Sequence, residues 1–142
     1  MRVFLDSNIL VYANDSRDLK KQQVAVNLVG SCMRESMGVI SVQVLQEYAN
    51  VALGKLKQSS DIVLRQLHLL EALEVVMPKP QMVRRSVEIR EAYGISFWDS
   101  AIVAAAEYAR CDAILSEDLN TGQYYAGIIV RNPFAALQDG NK

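Results

Sequence analysis

A chain of 142 residues has the length of one domain and can bury a core without disulfides or a structural metal. About half of its residues are apolar and 22% are charged, the ordinary balance of a soluble globular protein. The 15 basic and 16 acidic side chains leave a formal net charge of −1 and a pI near 5.8. That balance excludes nucleic-acid binding by bulk electrostatics and leaves only local contact, through a metal or a basic rim.

Along the chain, Arg2 to Leu5 is a short apolar run that stops at Asp6, followed by helical spacing from Asn8 to Ala13. Leu19 to Met37 is a longer amphipathic stretch, and Gly38 to Ser41 reads as a second strand. Val42 to Leu53 returns to helical spacing with Gly54 as its stop. Ser59 to Ala72 is another helix, and Leu73 to Val76 is a strand closed by Pro78 and Pro80. Gln81 to Tyr93 is helical and stops at Gly94, and Phe97 to Arg110 is an alanine-rich helix. Asp112 to Leu115 is a strand, Asp118 to Gln123 a turn or short helix, and Gly127 to Val130 the last strand. A short segment follows Asn132-Pro133, and 139–142 reads as a frayed tail.

The longest apolar stretch, Ala101 to Ala106, falls far short of the roughly 20 residues that span a membrane. Asp6 and Asn8 interrupt the apolar N-terminus, so it does not read as a signal peptide. Cys32 and Cys111 match no metal or redox spacing and read as reduced thiols of a cytoplasmic protein. Short apolar strands separated by helices predict an α/β fold, with a central parallel sheet of four to five strands and helices on both faces. In such sheets, sites form outside the carboxyl ends of the strands.

Asp6 directly follows Val3-Phe4-Leu5, and Asp118 comes shortly after Ala113-Ile114-Leu115, which places both carboxylates at the same sheet edge. Asp6 taken alone is equally a helix N-cap. On the Val42–Leu53 helix, positions 44, 47, 48 and 51 share one face. Val44, Tyr48 and Val51 make that face apolar, so Glu47 either needs a partner or a cation or reaches water at the edge of the stripe. Ser96-Phe97-Trp98-Asp99 has the form of a capping box, and Asp99 can cap and bind a metal at once. Four converging carboxylates repel one another without a cation. Hard divalent ions such as Mg²⁺ and Mn²⁺ prefer such oxygen ligands and can activate water against a phosphodiester.

These motifs resemble the PIN-domain ribonucleases. Val3-Phe4-Leu5-Asp6-Ser7-Asn8-Ile9-Leu10 is similar to the opening of that family, and Ser41-Val42-Gln43-Val44-Leu45-Gln46-Glu47 to its second motif. Ser96-Phe97-Trp98-Asp99-Ser100 and Leu115-Ser116-Glu117-Asp118-Leu119 are similar to the third and fourth. Gly122-Gln123 and Asn132-Pro133-Phe134 match a C-terminal pattern of the bacterial toxin branch. The resemblance spans nearly the whole chain in the right order and implies one PIN domain over residues 1–138. It also implies a VapC-like toxin of a type II toxin–antitoxin pair: a cytoplasmic Mg²⁺- or Mn²⁺-dependent endoribonuclease, homodimeric and inhibited by a cognate antitoxin protein. Asp6, Glu47, Asp99 and Asp118 are then the catalytic acids, with Asp6 and Asp99 the principal metal ligands and Asp118 a third. Asn8 and Ser116 support them, and no RNA-binding side chain is assigned.

Two positions depart from the pattern. Asn120 stands where many relatives carry a further Asp, which favours one metal over two, and Ser100 stands where Ala is frequent. Glu117 reads as a solvated turn charge. His68, the only histidine, reads as structural. Arg17, Lys20, Lys21, Arg84, Arg85 and Arg90 include candidate phosphate contacts but read mostly as solvated helix faces. Val24, Val26, Leu28 and Val29 fit either a dimer interface or core packing.

Competing readings are weaker. A haloacid-dehalogenase-like site wants Asp at position 8, a receiver domain wants a Lys after a late strand, and neither is present. No G-x-G-x-x-G or Walker motif occurs. A catalytically inactive PIN-like module that binds RNA or protein remains the alternative.

Overall fold

The computed structural model describes residues 1–139, so all but the first residue of the expected frayed tail lies outside the described residues. Six strands form one sheet: β1 (Val3–Leu5), β2 (Gly38–Ser41), β3 (Glu74–Val76), β4 (Ala113–Leu115), β5 (Tyr124–Tyr125) and β6 (Ile128–Arg131). Their spatial order is β3-β2-β1-β4-β6-β5. Every pairing is parallel except that of β5 with β6. The five strands expected from the sequence are all present, and the two-residue β5 is an addition. The helices are α1 (Ser7–Ala13), α2 (Leu19–Arg34), α3 (Val42–Gly54), α4 (Ser60–Leu70), α5 (Pro80–Tyr93), α6 (Phe97–Tyr108) and α7 (Ala135–Asp139).

The sequence explains these boundaries locally. Ser41, Ser59 and Ser96 each cap a helix by accepting the N–H three residues on, from Val44, Ile62 and Asp99. Pro80 opens α5 rather than closing the preceding strand, because its ring presets a helical φ and the missing N–H has no partner to lose there. Gly94 ends α5 in the left-handed region at φ 67°. α3 ends at Gly54 as expected, though the left-handed residue that follows it is Lys57, at φ 53°. By contrast, α2 ends before the expected Met37 because Ser36 adopts φ 52°.

Right-handed crossovers place α1 to α4 on one face of the sheet and α5 and α6 on the other. Accordingly α1 packs on α2 and α3, α3 on α4, and α5 on α6. Both faces are thus covered, which is why β1 and β4 are buried along their whole length. Val24, Leu28 and Val29 of α2 pack against this core, leaving only Val26 of that group exposed. Cys32 and Cys111 are free and buried. Among the described residues no helix is long and apolar enough to cross a membrane.

Gly38 is required by close packing. A Cβ there would meet Cys32 Cβ and Leu73 Cδ2, each at 2.7 Å. Gly38→Ala is therefore expected to cost about 1–3 kcal/mol by overpacking, measured as a lower urea midpoint with an unchanged slope.

Candidate acidic site

Strand order reverses beside β1: the chain runs β1 to β2 to β3 on one side, then returns to β4 on the other. Ligand sites in open α/β sheets form at such a switch point, outside the carboxyl ends of the strands. Leu5 lies in register with Leu115, and the Asp6 N–H donates to the Leu115 carbonyl at 3.0 Å. The next residues on the two strands, Asp6 and Ser116, are therefore neighbours.

Asp6 is 5% exposed and serves two ends. It is the N-cap of α1, with Oδ1 accepting from the Ser7 N–H at 2.8 Å. Its Oδ2 accepts from Ser116 Oγ at 2.7 Å and more weakly from Asn8 Nδ2 at 3.5 Å. Ser116, itself fully buried, accepts in turn from Asn8 Nδ2 at 3.3 Å and from the Asp118 N–H at 3.1 Å. Asn8 Nδ2 also reaches Asp118 Oδ2 at 3.1 Å. Asn8 and Ser116 thus bridge Asp6 to Asp118.

Glu47 lies in the second turn of α3, half-buried beside the fully buried Val44 and Tyr48. Its Oε1 is buried without a hydrogen-bond partner. Burial raises its carboxyl above the ordinary carboxylate range and the charges of Asp6 and Asp99 raise it further, against hydrogen bonds with Gln43 and Ser7 that lower it. Asp6 is also raised: burial dominates over the Ser116 and Ser7 hydrogen bonds that oppose it, and Asp118 and Asp99 add repulsion. Asp99 sits half-buried at the start of α6. Its backbone N–H donates to Ser96 Oγ at 3.1 Å. The serine does the capping, and the Asp99 carboxylate plays no part in that bond.

The four sequence-predicted acids therefore lie at one sheet edge, where Asp118 and Asp99 act on Asp6, and Asp6 and Asp99 act on Glu47. Among the described residues, no three His, Cys, Asp or Glu side chains form a ready metal cage. An open arrangement still suits Mg²⁺ or Mn²⁺, because such ions keep several waters and take one or two carboxylates with the substrate's phosphate. The donor set is all oxygen, and the unpartnered Glu47 Oε1 lies where two further carboxylates repel it. These residues fit a hard divalent cation.

Other expectations change. Asn120 is exposed, with Nδ2 donating to Gln123 Oε1 at 3.1 Å. Ser100 replaces a small residue at little cost, since its buried hydroxyl donates to the Ser96 carbonyl at 2.8 Å. Glu117 is not a solvated turn charge: it is half-buried, pairing with Lys21 at 2.6 Å and accepting from the Tyr12 hydroxyl at 2.7 Å. Sequence reasoning missed Tyr12, although it stands four residues after Asn8 and hence on the same helix face. Three of the candidate phosphate contacts are engaged elsewhere: Lys21 with Glu117, Arg17 with Asp15 and Arg85 with Glu107. His68 is exposed on α4, with Glu71 at 3.7 Å.

A mostly parallel sheet with an acidic switch point and helices on both faces is the architecture of a PIN domain. The PIN-domain family model matches residues 3–126, and the chain belongs to that family. Comparison with curated protein sequences finds no match. Among solved structures, the chain is similar to one from a toxin–antitoxin complex of Klebsiella pneumoniae, at 21% identity and TM-score 0.70, covering 94% of this chain and 98% of that one. It is similar to VapC20 of Mycobacterium tuberculosis, described as a sarcin–ricin loop cleaving toxin, at 15% identity and TM-score 0.63, covering 82% and 91%. A chain of VapBC2 from Rickettsia felis, bound to a promoter DNA fragment, matches at 21% identity and TM-score 0.67, covering 93% and 98%. At these identities the likeness establishes a shared fold.

Proposed function

We propose that this chain is a divalent-metal-dependent endoribonuclease and the toxin of a toxin–antitoxin pair. The observation that carries the reading is the buried, unpartnered Glu47 oxygen facing Asp6 and Asp99. A carboxylate in that position is costly without a cation. Asp6, Asp99 and Asp118 would hold Mg²⁺ or Mn²⁺, with Glu47 completing the acidic site. Such an ion, when bound, lowers the pKa of water and neutralises charge on the phosphodiester. The chain's own part is to fix the ligands: Ser116 and Ser7 hold the two Asp6 oxygens, while Asn8 holds Asp118. With a net charge of −1, contact with RNA is local, through the bound ion or a basic rim, rather than through bulk charge.

The solved neighbours include complexes titled as toxin–antitoxin and VapBC assemblies, which supports an antitoxin protein as partner. The family resemblance adds homodimerisation to this reading. The alternative reading is a PIN-like module that binds RNA or protein without cutting.

Antitoxin-free protein incubated with structured RNA and Mn²⁺ separates the two. Cleavage by the wild type, lost in excess EDTA and lowered about 10²-fold or more in Asp99→Asn, is the expected result. Cleavage that persists in EDTA overturns the metal mechanism, and no cleavage by the wild type favours the binding module.

A further inference from the structure

We propose that Glu117, clamped by Lys21 and Tyr12, is a positioning residue that sets the orientation of Asn8 and Asp118. Only the catalytic consequence of this role rests on the nuclease reading. The Glu117 carboxylate uses both oxygens: Oε1 accepts from the Tyr12 hydroxyl at 2.7 Å and Oε2 from the Lys21 ammonium at 2.6 Å. Lys21 Nζ also donates to the Tyr12 hydroxyl at 3.2 Å and lies over two rings, 4.6 Å from the centroid of Tyr12 and 5.6 Å from that of Phe134. Phe134 is fully buried and meets Tyr12 edge-on at 4.9 Å. The turn after β4 is thereby pinned to α1, to α2 and to the segment after β6. Side-chain exposures of 21% and 23% for Lys21 and Glu117 screen this pair less than an ion pair out in water.

The clamp reaches the acids through the backbone. The Glu117 N–H donates to Asn8 Oδ1 at 3.2 Å. That bond decides which way the Asn8 amide faces: with Oδ1 committed to Glu117, Nδ2 must point at Asp6, Ser116 and Asp118. If the turn loosens, Asn8 Oδ1 loses its donor and the amide is held only through the Nδ2 contacts to Asp6, Ser116 and Asp118, which leaves it freer to rotate away from the two carboxylates. Glu117 also lies between Ser116 and Asp118, so its placement sets the reach of both neighbours.

The test compares wild type, Lys21→Met, Glu117→Gln and Lys21→Arg without metal, by amide exchange and the ¹⁵N spectrum. In Lys21→Met and Glu117→Gln, the Glu117 and Asp118 amides are expected to exchange about ten-fold faster, and the Asn8 side-chain amide signals to move towards solvent values. Lys21→Arg, which keeps the charge, is expected to restore wild-type behaviour. In RNA cleavage with Mn²⁺, kcat should fall about ten-fold in the first two variants while KM stays within about two-fold. Unchanged exchange and Asn8 signals in both variants overturn the proposal whatever the activity. A lowered Tm with unchanged kcat overturns it too, because that is a purely structural contact. Loosened amides in the variants of a protein whose wild type cuts no RNA would sink the nuclease reading and leave the clamp standing.

Discussion

Asp6→Asn is expected to lower RNA cleavage by at least about 10³-fold while the fold persists. Asp6 is the best-determined of the four acids: it is buried, caps α1, and is gripped by the Ser116 hydroxyl and the Ser7 N–H. Asparagine can still accept the Ser7 N–H through its oxygen, so the cap survives. Its amide cannot supply the negative charge that a divalent ion needs from a ligand. Removing a raised, buried carboxylate also removes repulsion with Asp118 and Asp99, which offsets part of the cost of losing the acceptor for the Ser116 hydroxyl, so the metal-free variant should still fold. The two readouts must diverge: Mn²⁺ should raise the wild-type Tm, by linkage to binding, and leave that of Asp6→Asn unmoved. Cleavage within about ten-fold of wild type, or an equal Mn²⁺ response in both proteins, removes Asp6 from the metal site.

Much of this geometry was legible because strand ends are local signals. An apolar run that stops at Asp6, and another followed by Ser116 and Asp118, put these residues at one edge of a parallel sheet once both runs are strands. Glu47 stood out for a different local reason, its place on an apolar helix face beside Val44 and Tyr48. What escaped was decided by distant partners. Glu117 looks solvated in sequence, and only the fold brings Lys21 and Tyr12 to it. The strand β5 has two residues and exists by pairing with β6 across a turn at Ala126 and Gly127, with φ of 50° and 81°. Two positive φ values mark the tight hairpin turns that match strand twist, but alanine is a poor sequence signal for one. The Tyr93 hydroxyl, which accepts from the Ala126 N–H at 2.8 Å, supplies from α5 what the local sequence lacks. Asp99 shows the limit of motif logic: the capping form was correct for Ser96, and that left the carboxylate free for other work.

Glu47→Gln is expected to separate the cost of the acidic site from its use. The wild-type carboxylate buries an oxygen with no partner and is pushed above its ordinary value of 4.5 by burial and then by Asp6. The folded protein therefore resists ionising this group. Its contribution to stability is greatest below the ordinary carboxylate value, where the group is protonated in both states. That contribution declines as pH rises from there through the higher folded value, and it stays lost at neutral pH. Glutamine is neutral at every pH and has no such decline. The metal-free variant should thus be more stable than wild type at pH 7 by about 1 kcal/mol, the low end for an unpaired buried group because the side chain is only half-buried. That corresponds to about 3 °C in Tm, and the gap should close as the pH is brought below about 4. Saturating Mn²⁺ should reverse the order, stabilising wild type more than the variant, while cleavage by Glu47→Gln falls about 10²-fold. A variant that is less stable at pH 7, with the difference constant down to acid, would mean that Glu47 is paired in solution and is no part of a cation site. Stability withheld at one carboxylate and returned by a cation is what distinguishes a metal-binding acid from a surface charge.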